Sequence, residues 1–374
     1  MVDQHTWESV VLQKLELPNG VIVPNRIMRA ATWTGLAEEG GYCGDAIFET
    51  YGKIKAGVVV TGFQYVMSEG QSVRRMISNS KTEDVEGLKK LTEIIHSSGG
   101  LAAAQLVHCG CKSLPKYAGN EIFGPSDMEV PGLAGEIIQV KAMTADHLEK
   151  VTLAYADAAK RAKEAGFNLI EIHGAHHYGL WQFFDPSYNH RLENDPYTGT
   201  SIEGRSKAMV DVVRAIKNTV DIPVQVKVDS SSDSVRPEEV GELTKKLAEA
   251  GAYCVIFSGP NPTRKPKNAE DTYFLDDALV ARSVARDSGL LFGLVGGIRS
   301  PETAVKLLTG DGDSADAFDV IQISRPLISE PALLDRWTEE AKLGTQEPAR
   351  CISCNRCFAA GLKGGVRCLQ FDSD

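Results

Sequence analysis

Residues 168–205 read NLIEIHGAHHYGLWQFFDPSYNHRLENDPYTGTSIEGR and contain the most informative motif of the chain. It begins as a mostly apolar run, residues 169–172, whose composition is typical of a buried β-strand. The run ends in a polar cluster that contains His173, His176, His177 and Tyr178. A single histidine is often structural, because histidine is commonly half-buried in ordinary protein interiors. Three histidines and a tyrosine directly after a strand instead indicate a functional site, because α/β folds place their chemistry at the carboxyl ends of strands.

Seven further runs of the same kind occur along the chain, separated by segments with helical spacing. Their apolar residues are continuous rather than alternating, as in parallel strands that are covered on both faces. The eight runs are 27–31, 57–62, 101–107, 168–173, 222–229, 252–258, 290–296 and 318–324. Strands and helices in this alternation predict an α/β fold of the (β/α)8, or TIM, barrel class. An open doubly wound sheet is the alternative.

Two segments do not fit this alternation. Residues 12–23 have the pattern of a small hairpin turned at Pro18-Asn19-Gly20, which we expect to cap the bottom of the barrel. Residues 109–143 form a long segment rich in Gly and Pro with little periodicity. Because loops of that length are usually functional, we expect this segment to form part of a lid over the site.

The composition narrows the classes of partner. The chain has 374 residues, of which 43% are hydrophobic and 24% charged, and its net charge is −10. This charge argues against nucleic acid or an acidic membrane, because phosphate binding requires concentrated Lys and Arg. No apolar run reaches the roughly 18 residues that span a bilayer, and the first residues do not resemble a secretory signal. We expect a cytoplasmic protein that acts on a small-molecule substrate, with homo-oligomer formation left open.

Polar residues and glycines follow other predicted strands and should converge on the same rim of the barrel. They are Gln105 and His108 after the third run, Lys227 and Asp229 after the fifth, Gly296 and Gly297 after the seventh, and Ser324 and Arg325 after the eighth. Gly-rich turns after the last two strands of this barrel class commonly bind phosphate through backbone N–H groups. With Arg325 on the neighbouring strand, the sequence predicts a phosphorylated cofactor.

These motifs resemble those of the old yellow enzyme family of FMN-dependent NAD(P)H:flavin oxidoreductases, over essentially the whole chain. The block from His173 to Arg205 carries the resemblance most specifically. Further matches are Asn25-Arg26-Ile27, Gln105-Leu106-Val107-His108, Gly296-Gly297-Ile298-Arg299 and Ile323-Ser324-Arg325-Pro326. The resemblance implies FMN as cofactor and NAD(P)H as reductant, in an enzyme of the ene-reductase type.

The resemblance also implies which residues bind the cofactor. Gln105 corresponds to a residue that hydrogen-bonds the pyrimidine side of the flavin. Lys227 corresponds to a cation beside flavin N1 and O2, where it stabilises the reduced form. The phosphate-binding positions correspond to Gly297, Ser324 and Arg325, and the backbone segments that approach the flavin correspond to Ala31, Thr32 and Gly62.

The same resemblance assigns the catalytic roles. His173 and His176 correspond to a pair whose ring N–H groups hold the carbonyl oxygen of an enone. Tyr178 corresponds to a tyrosine that delivers a proton to the α-carbon. The chain departs from the family pattern at Cys111, where Arg is usual, and at Lys227, where Arg is more frequent.

Four of the eight cysteines lie close together near the C-terminus: Cys351, Cys354, Cys357 and Cys368. Without a secretory context, this clustering favours metal binding over disulfides. The spacing resembles the four-iron cluster motif of trimethylamine dehydrogenase and 2,4-dienoyl-CoA reductase, which implies a 4Fe–4S iron–sulfur cluster. Structural zinc is a weaker alternative, and thiols without a metal are the third. We divide the chain into an FMN-binding barrel, residues 1–344, and a cysteine-rich C-terminal extension packed on the barrel, residues 345–374.

Two functions from other classes compete with the flavin enzyme. A metal-dependent hydrolase on the same barrel would use His173 and His176 as ligands. Such a site also needs carboxylate ligands at other strand ends, where the sequence offers mainly Asp229. A non-catalytic electron-transfer subunit would hold flavin and cluster without a substrate pocket.

Overall fold

Eight parallel strands form a closed ring in the computed structural model, which describes residues 2–132, 135–264, 272–312 and 314–371. The strands are β1 (Ile27–Arg29), β2 (Val58–Val60), β3 (Leu101–Val107), β4 (Leu169–Gly174), β5 (Val224–Asp229), β6 (Cys254–Ser258), β7 (Leu291–Val295) and β8 (Val320–Ile323). Each strand pairs with the next, and the pairing of β8 with β1 closes the ring. The predicted (β/α)8 barrel is confirmed, and closure excludes the open doubly wound sheet.

One longer helix follows each strand and covers the outside of the ring. The helices are α1 (Asp45–Gly52), α2 (Asp84–Ser97), α3 (Ala145–Glu164), α4 (Ile202–Thr219), α5 (Pro237–Glu249), α6 (Leu275–Val284), α7 (Pro301–Thr309) and α8 (Leu333–Leu343). Further helices are Gln4–Thr6, Pro115–Ala118, Gly179–Phe184, Pro326–Ser329 and Arg356–Gly364. None of the described helices combines the length and the apolarity needed to cross a bilayer.

Helix α3 shows how local sequence sets these elements. It begins after Thr144, whose hydroxyl accepts a hydrogen bond from the N–H of His147 at 3.2 Å, as N-cap residues do. Leu148 and Tyr155 share its buried face. Beyond the helix, Gly166 has φ +89°, a left-handed conformation that favours glycine and turns the chain into β4.

A short antiparallel hairpin caps the bottom of the barrel, as the sequence predicts. Leu15–Glu16 pairs with Ile22–Val23, and the N–H of Leu17 donates to the carbonyl oxygen of Val21 at 2.8 Å. Leu17 and Val23 are buried in one apolar cluster with residues of the barrel interior: Met28, Val58, Val60, Ala103, Leu169, Ile256 and Val320. The hairpin therefore seals the end of the ring opposite the carboxyl ends of the strands.

The long segment after β3 contains a small sheet of its own. Its strands are Ile122–Gly124, Met128–Pro131 and Ile137–Ala142, and the last lies between the other two. Residues 133 and 134 of this segment lie outside the described residues. Two short strands, Gln64–Tyr65 and Ile77–Ser78, extend the edge of β3.

Candidate active site

A cavity of about 530 Å³ opens at the carboxyl ends of the barrel strands, within the usual size range of cofactor and substrate sites. Its lining contains ten of the eleven predicted catalytic and cofactor-binding residues: Ala31, Thr32, Gln105, His173, His176, Tyr178, Lys227, Gly297, Ser324 and Arg325. The eleventh, Gly62, lies one layer behind Thr32. A Cβ at position 62 would meet the carbonyl oxygen of Thr32 at 2.7 Å, so glycine permits this close packing.

The histidine loop, residues 173–178, has an unusual backbone that is fixed from several sides. His176 and His177 have φ angles of 59° and 56°, in a left-handed region that non-glycine residues rarely adopt. The carboxyl of Asp229 at the end of β5 accepts the N–H of His176 at 2.8 Å. The Lys112 ammonium donates to the carbonyl oxygen of His176 at 2.8 Å, and the Gln182 amide donates to that of His177 at 2.7 Å. These contacts fix the loop beside the cavity, which His173 and His176 line.

Both predicted substrate-binding histidines lie in surroundings that favour the neutral ring. Burial lowers the pKa of His173 well below its ordinary value, and nearby His176, Lys227 and Lys112 lower it further. Burial, with Lys227 and Lys112, lowers the pKa of His176 in the same direction. The His173 Nδ1 atom accepts the N–H of Ala175 at 3.3 Å, so in the neutral ring Nε2 carries the proton. The two ring centroids are 4.9 Å apart.

Tyr178 lies against His173 and Phe63, with ring centroids at 4.9 and 5.6 Å. Burial raises the pKa of its phenol above the ordinary value. The hydroxyl therefore keeps its proton through the physiological range, which is the state that a proton donor requires. Lys112 adds a cation 5.6 Å from the centre of this ring.

Four polar side chains from β3, β4, β5 and β8 meet beneath the cavity, and we call them the cavity floor: Gln105, Glu171, Lys227 and Gln322. All four are buried. Glu171 contacts the other three, namely the amides of Gln105 and Gln322 and the ammonium of Lys227. The roles of Glu171 and Gln322 were not predicted from the sequence. The only signal was a polar residue within each otherwise apolar strand, and the barrel register was needed to bring them together.

The opposite end of the cavity is suited to an anion. Gly296 and Gly297 have φ angles of 120° and 80°, and a Cβ on Gly296 would meet the Phe274 ring at 2.8 Å. The Arg325 guanidinium donates to the Tyr273 hydroxyl at 3.0 Å and to the Asn355 side-chain oxygen at 2.7 Å. Four cationic residues, Lys112, Lys227, Arg299 and Arg325, line the cavity, and none of its lining residues within the described ranges is acidic.

The C-terminal extension reaches the same cavity. Ser353, Phe358 and Leu362 line it, and the N–H of Val366 donates to the carbonyl oxygen of Thr34 at 2.7 Å. Of the long segment after β3, by contrast, Lys112 is the one described residue in the lining. Residues 109–143, from which part of a lid was expected, thus contribute one described residue to the lining, and the extension contributes three.

The four C-terminal cysteines share a second, small cavity of about 20 Å³, which also has Arg325 and Ser353 in its wall. All eight cysteines are free thiols. Within the described ranges, no three His, Cys, Asp or Glu side chains are close enough to hold a single metal ion. This finding also removes the support for the hydrolase alternative, in which His173 and His176 would be metal ligands.

Comparison with known proteins identifies the family. The model of the NADH:flavin oxidoreductase / NADH oxidase family matches residues 15–343. The NADH oxidase of Thermoanaerobacter brockii is 29% identical over 349 residues, which cover 90% of this chain and 51% of that protein. The flavin oxidoreductase hxnT of Emericella nidulans is 38% identical over 287 residues, 69% of this chain and 71% of the relative.

Structural comparison agrees on the fold. The old yellow enzyme homologue from Zymomonas mobilis has a TM-score of 0.76 and 23% identity, covering 89% of this chain and 93% of that one. This chain spans about half the length of the Thermoanaerobacter brockii NADH oxidase. The family match covers all eight strands of the barrel and the helices around it. The chain therefore belongs to the NADH:flavin oxidoreductase / NADH oxidase family.

Proposed function

We propose that the protein is an FMN-dependent oxidoreductase that takes hydride from NAD(P)H and reduces an activated C=C bond of an enone or enoyl compound. The observation that carries this proposal is the histidine loop. It brings two imidazoles and a phenol together on one wall of a cavity whose described lining includes cationic side chains and no acidic ones.

The cavity fits FMN by its donors and by its charge. Gln105 and Lys227 would meet the polar edge of the isoalloxazine, and the backbone of Ala31 and Thr32 would lie along it. Gly297, Ser324 and Arg325 would hold the phosphate, in agreement with the glycine φ angles and the cationic lining. When bound, FMN supplies the hydride that it accepts from NAD(P)H.

The histidine loop would activate the second substrate. An N–H on each imidazole donates to the carbonyl oxygen of an enone and draws electron density from its β-carbon. Tyr178 then gives its proton to the α-carbon. Burial keeps water away from both groups, so their hydrogen bonds to the substrate are stronger than they would be in solution.

The test is anaerobic rapid mixing of the reduced enzyme with a weakly activated enone and with a nitro compound. Tyr178→Phe keeps the ring contacts and removes the proton donor, so enone reduction should fall by ~10²-fold. The nitro compound should be affected less, because its product anion is already stable. Equal losses on both substrates would contradict the proton-donor role. A wild-type enzyme whose NAD(P)H oxidation is not stimulated by any enone would support the non-catalytic alternative instead.

For the C-terminal extension, residues 345–374, we propose a 4Fe–4S cluster bound by Cys351, Cys354, Cys357 and Cys368. The proposal is supported by the small cavity that all four cysteines line. Ser353 and Asn355, which alternate with the cysteines, have left-handed φ angles of 54° and 63°. Four cysteine thiolates are the usual ligand set of such a cluster.

Metal analysis of anaerobically purified protein tests this proposal. Cys354→Ala should reduce iron to near zero while FMN remains bound to the barrel. Cys254→Ala is the matched control, because Cys254 is a buried free thiol in β6 outside the extension, and its iron content should equal that of wild type. Wild-type protein without iron would overturn the proposal.

The free thiols also support a reducing, cytoplasmic compartment.

A further inference from the structure

Glu171 is a buried carboxylate that receives four hydrogen-bond donors directly under the cavity. Its Oε1 atom accepts from the Gln105 amide at 2.6 Å and lies 3.0 Å from the Lys227 ammonium. Its Oε2 atom accepts from the amides of Gln225 at 2.7 Å and Gln322 at 2.6 Å. The side chain is fully buried. No family motif quoted above includes a role for this residue.

The hydrogen-bond directions require an ionised carboxylate. Amide N–H and ammonium groups donate and do not accept, so a protonated Glu171 would have no acceptor for its own hydrogen. The contact of Gln225 with Tyr253 fits this arrangement, because the Tyr253 hydroxyl donates to its amide oxygen at 2.8 Å while its NH2 group faces Glu171. The floor therefore contains one negative and one positive charge in contact.

This carboxylate determines which end of two amides faces the cavity. Because Gln105 and Gln322 both direct their NH2 groups at Glu171, their oxygen atoms are left for other partners, and both residues line the cavity. The oxygen of Gln322 is buried and has no hydrogen-bond partner. An unsatisfied buried acceptor is unfavourable, so this atom is suited to a donor group of a bound ligand.

The same carboxylate moderates the charge of Lys227. A lone buried ammonium would attract electron density onto a neighbouring flavin strongly, whereas an ammonium paired at 3.0 Å attracts it less. Glu171 thus acts on the cofactor through the residues that surround it and does not itself line the cavity.

We propose that Glu171 is the positioning residue of the flavin site: it makes Gln105 and Gln322 present acceptors, and it limits how far Lys227 favours reduced over oxidised FMN. This inference rests on the proposed FMN-dependent function.

Glu171→Gln in the full-length protein tests it, with the dissociation constants of oxidised and reduced FMN measured anaerobically. A neutral amide can no longer hold four donors, so oxidised FMN should bind about tenfold more weakly. Loss of the negative charge should raise the preference for reduced FMN about tenfold, which for a two-electron couple is a rise of about 30 mV in midpoint potential. The inference would be overturned if the midpoint potential equals that of wild type and the ratio of the dissociation constants of oxidised and reduced FMN stays within twofold of wild type.

Two further variants separate charge from amide orientation and cover the case in which Glu171→Gln does not fold. Lys227→Met removes the positive charge and should lower the preference for reduced FMN, the opposite of the effect of Glu171→Gln. Gln322→Met removes an amide without changing charge, so FMN should bind more weakly while the ratio stays within twofold of wild type. Unchanged FMN affinity in Gln322→Met would overturn the acceptor role. Wild-type protein that binds no FMN would overturn the proposed function itself. If wild type binds FMN and the variants bind it equally well, only the role of Glu171 is overturned.

Discussion

The histidine loop and the cysteine segment, residues 351–357, each contain two non-glycine residues with left-handed backbone, but the two are held in different ways. Such residues cost roughly 1–3 kcal/mol each unless their surroundings stabilise them. The histidine loop is fixed by Asp229, Lys112 and Gln182, which come from three different parts of the barrel. In the cysteine segment, the N–H of Ser353 points at the Sγ atom of Cys351, two residues earlier in the chain.

The difference indicates how each site reaches its working geometry. The barrel holds the histidines in place before any ligand arrives, as expected of a site that must stabilise a transition state. The side-chain contacts of the cysteine segment with the barrel centre on Asn355, which accepts from Arg325 at 2.7 Å and donates to the carbonyl oxygen of Thr263 at 2.5 Å, and its thiols are half-buried. We infer that a metal cluster would complete the geometry of that segment.

The largest expected effect comes from removing the histidine donors. His173→Ala combined with His176→Ala should slow enone reduction by at least 10²–10³-fold, about the cost of losing one oxyanion-type donor. Reduction of the flavin by NAD(P)H should continue. Rapid-mixing measurement of the two half-reactions distinguishes these steps, and His190→Ala, an exposed histidine outside the cavity, is the control. An enone half-reaction within about threefold of wild type would contradict the assigned role.

The next effect tests the support of the histidine loop. Burial raises the pKa of Asp229 well above its ordinary value, and its contact with the N–H of His176 requires only an acceptor oxygen, which an amide also provides. Asp229→Asn should therefore change enone reduction by less than about threefold, whereas Asp229→Ala leaves the N–H of His176 unpaired and should lower it about tenfold. Equal rates in the two variants would show that the loop does not depend on this contact.

A smaller effect is expected at the anchor of the cysteine segment. Asn355→Gly keeps the left-handed backbone and removes only the side chain, so Arg325 loses one partner and FMN affinity should fall about threefold. Arg75→Gly is the matched control, because Arg75 is an exposed left-handed residue away from both cavities. Fluorescence titration of the apoprotein with FMN measures both. A decrease of equal size in Arg75→Gly would remove the special role of Asn355.

The smallest effect concerns pH. The pKa values of His173 and His176 lie well below 6.5, and that of Tyr178 lies above 10. Between pH 7 and 9 the histidines are already deprotonated and the phenol is still protonated, so none of the three changes charge there. The enone half-reaction should vary by less than about twofold over this range. A sigmoidal change centred near pH 7 would mean that one histidine titrates normally.

The sequence predicted the barrel and the rim because both depend on local pattern. Continuous apolar runs identify parallel strands, and residues that follow such strands, for example Lys227 and Arg325, must meet at one end of the ring. The role of Glu171 was not predictable in this way, since a polar residue inside a strand has meaning only once neighbouring strands are in register. The support from Asp229 to the backbone of His176 is equally invisible, because it depends on a loop conformation that no motif encodes. Gly62 was expected beside the cofactor, and the structure places it behind Thr32.

Arg325 lies in the wall of both cavities, together with Ser353. Two ligands that share a wall residue cannot bind independently: if one alters the position of the guanidinium, the affinity for the other changes. Thermodynamic linkage makes this influence mutual. If a bound metal cluster changes the affinity for flavin by some factor, bound flavin changes the affinity for the cluster by the same factor. Where that factor is favourable, loss of iron from the extension would be accompanied by easier loss of flavin from the barrel; where it is unfavourable, filling one site would empty the other.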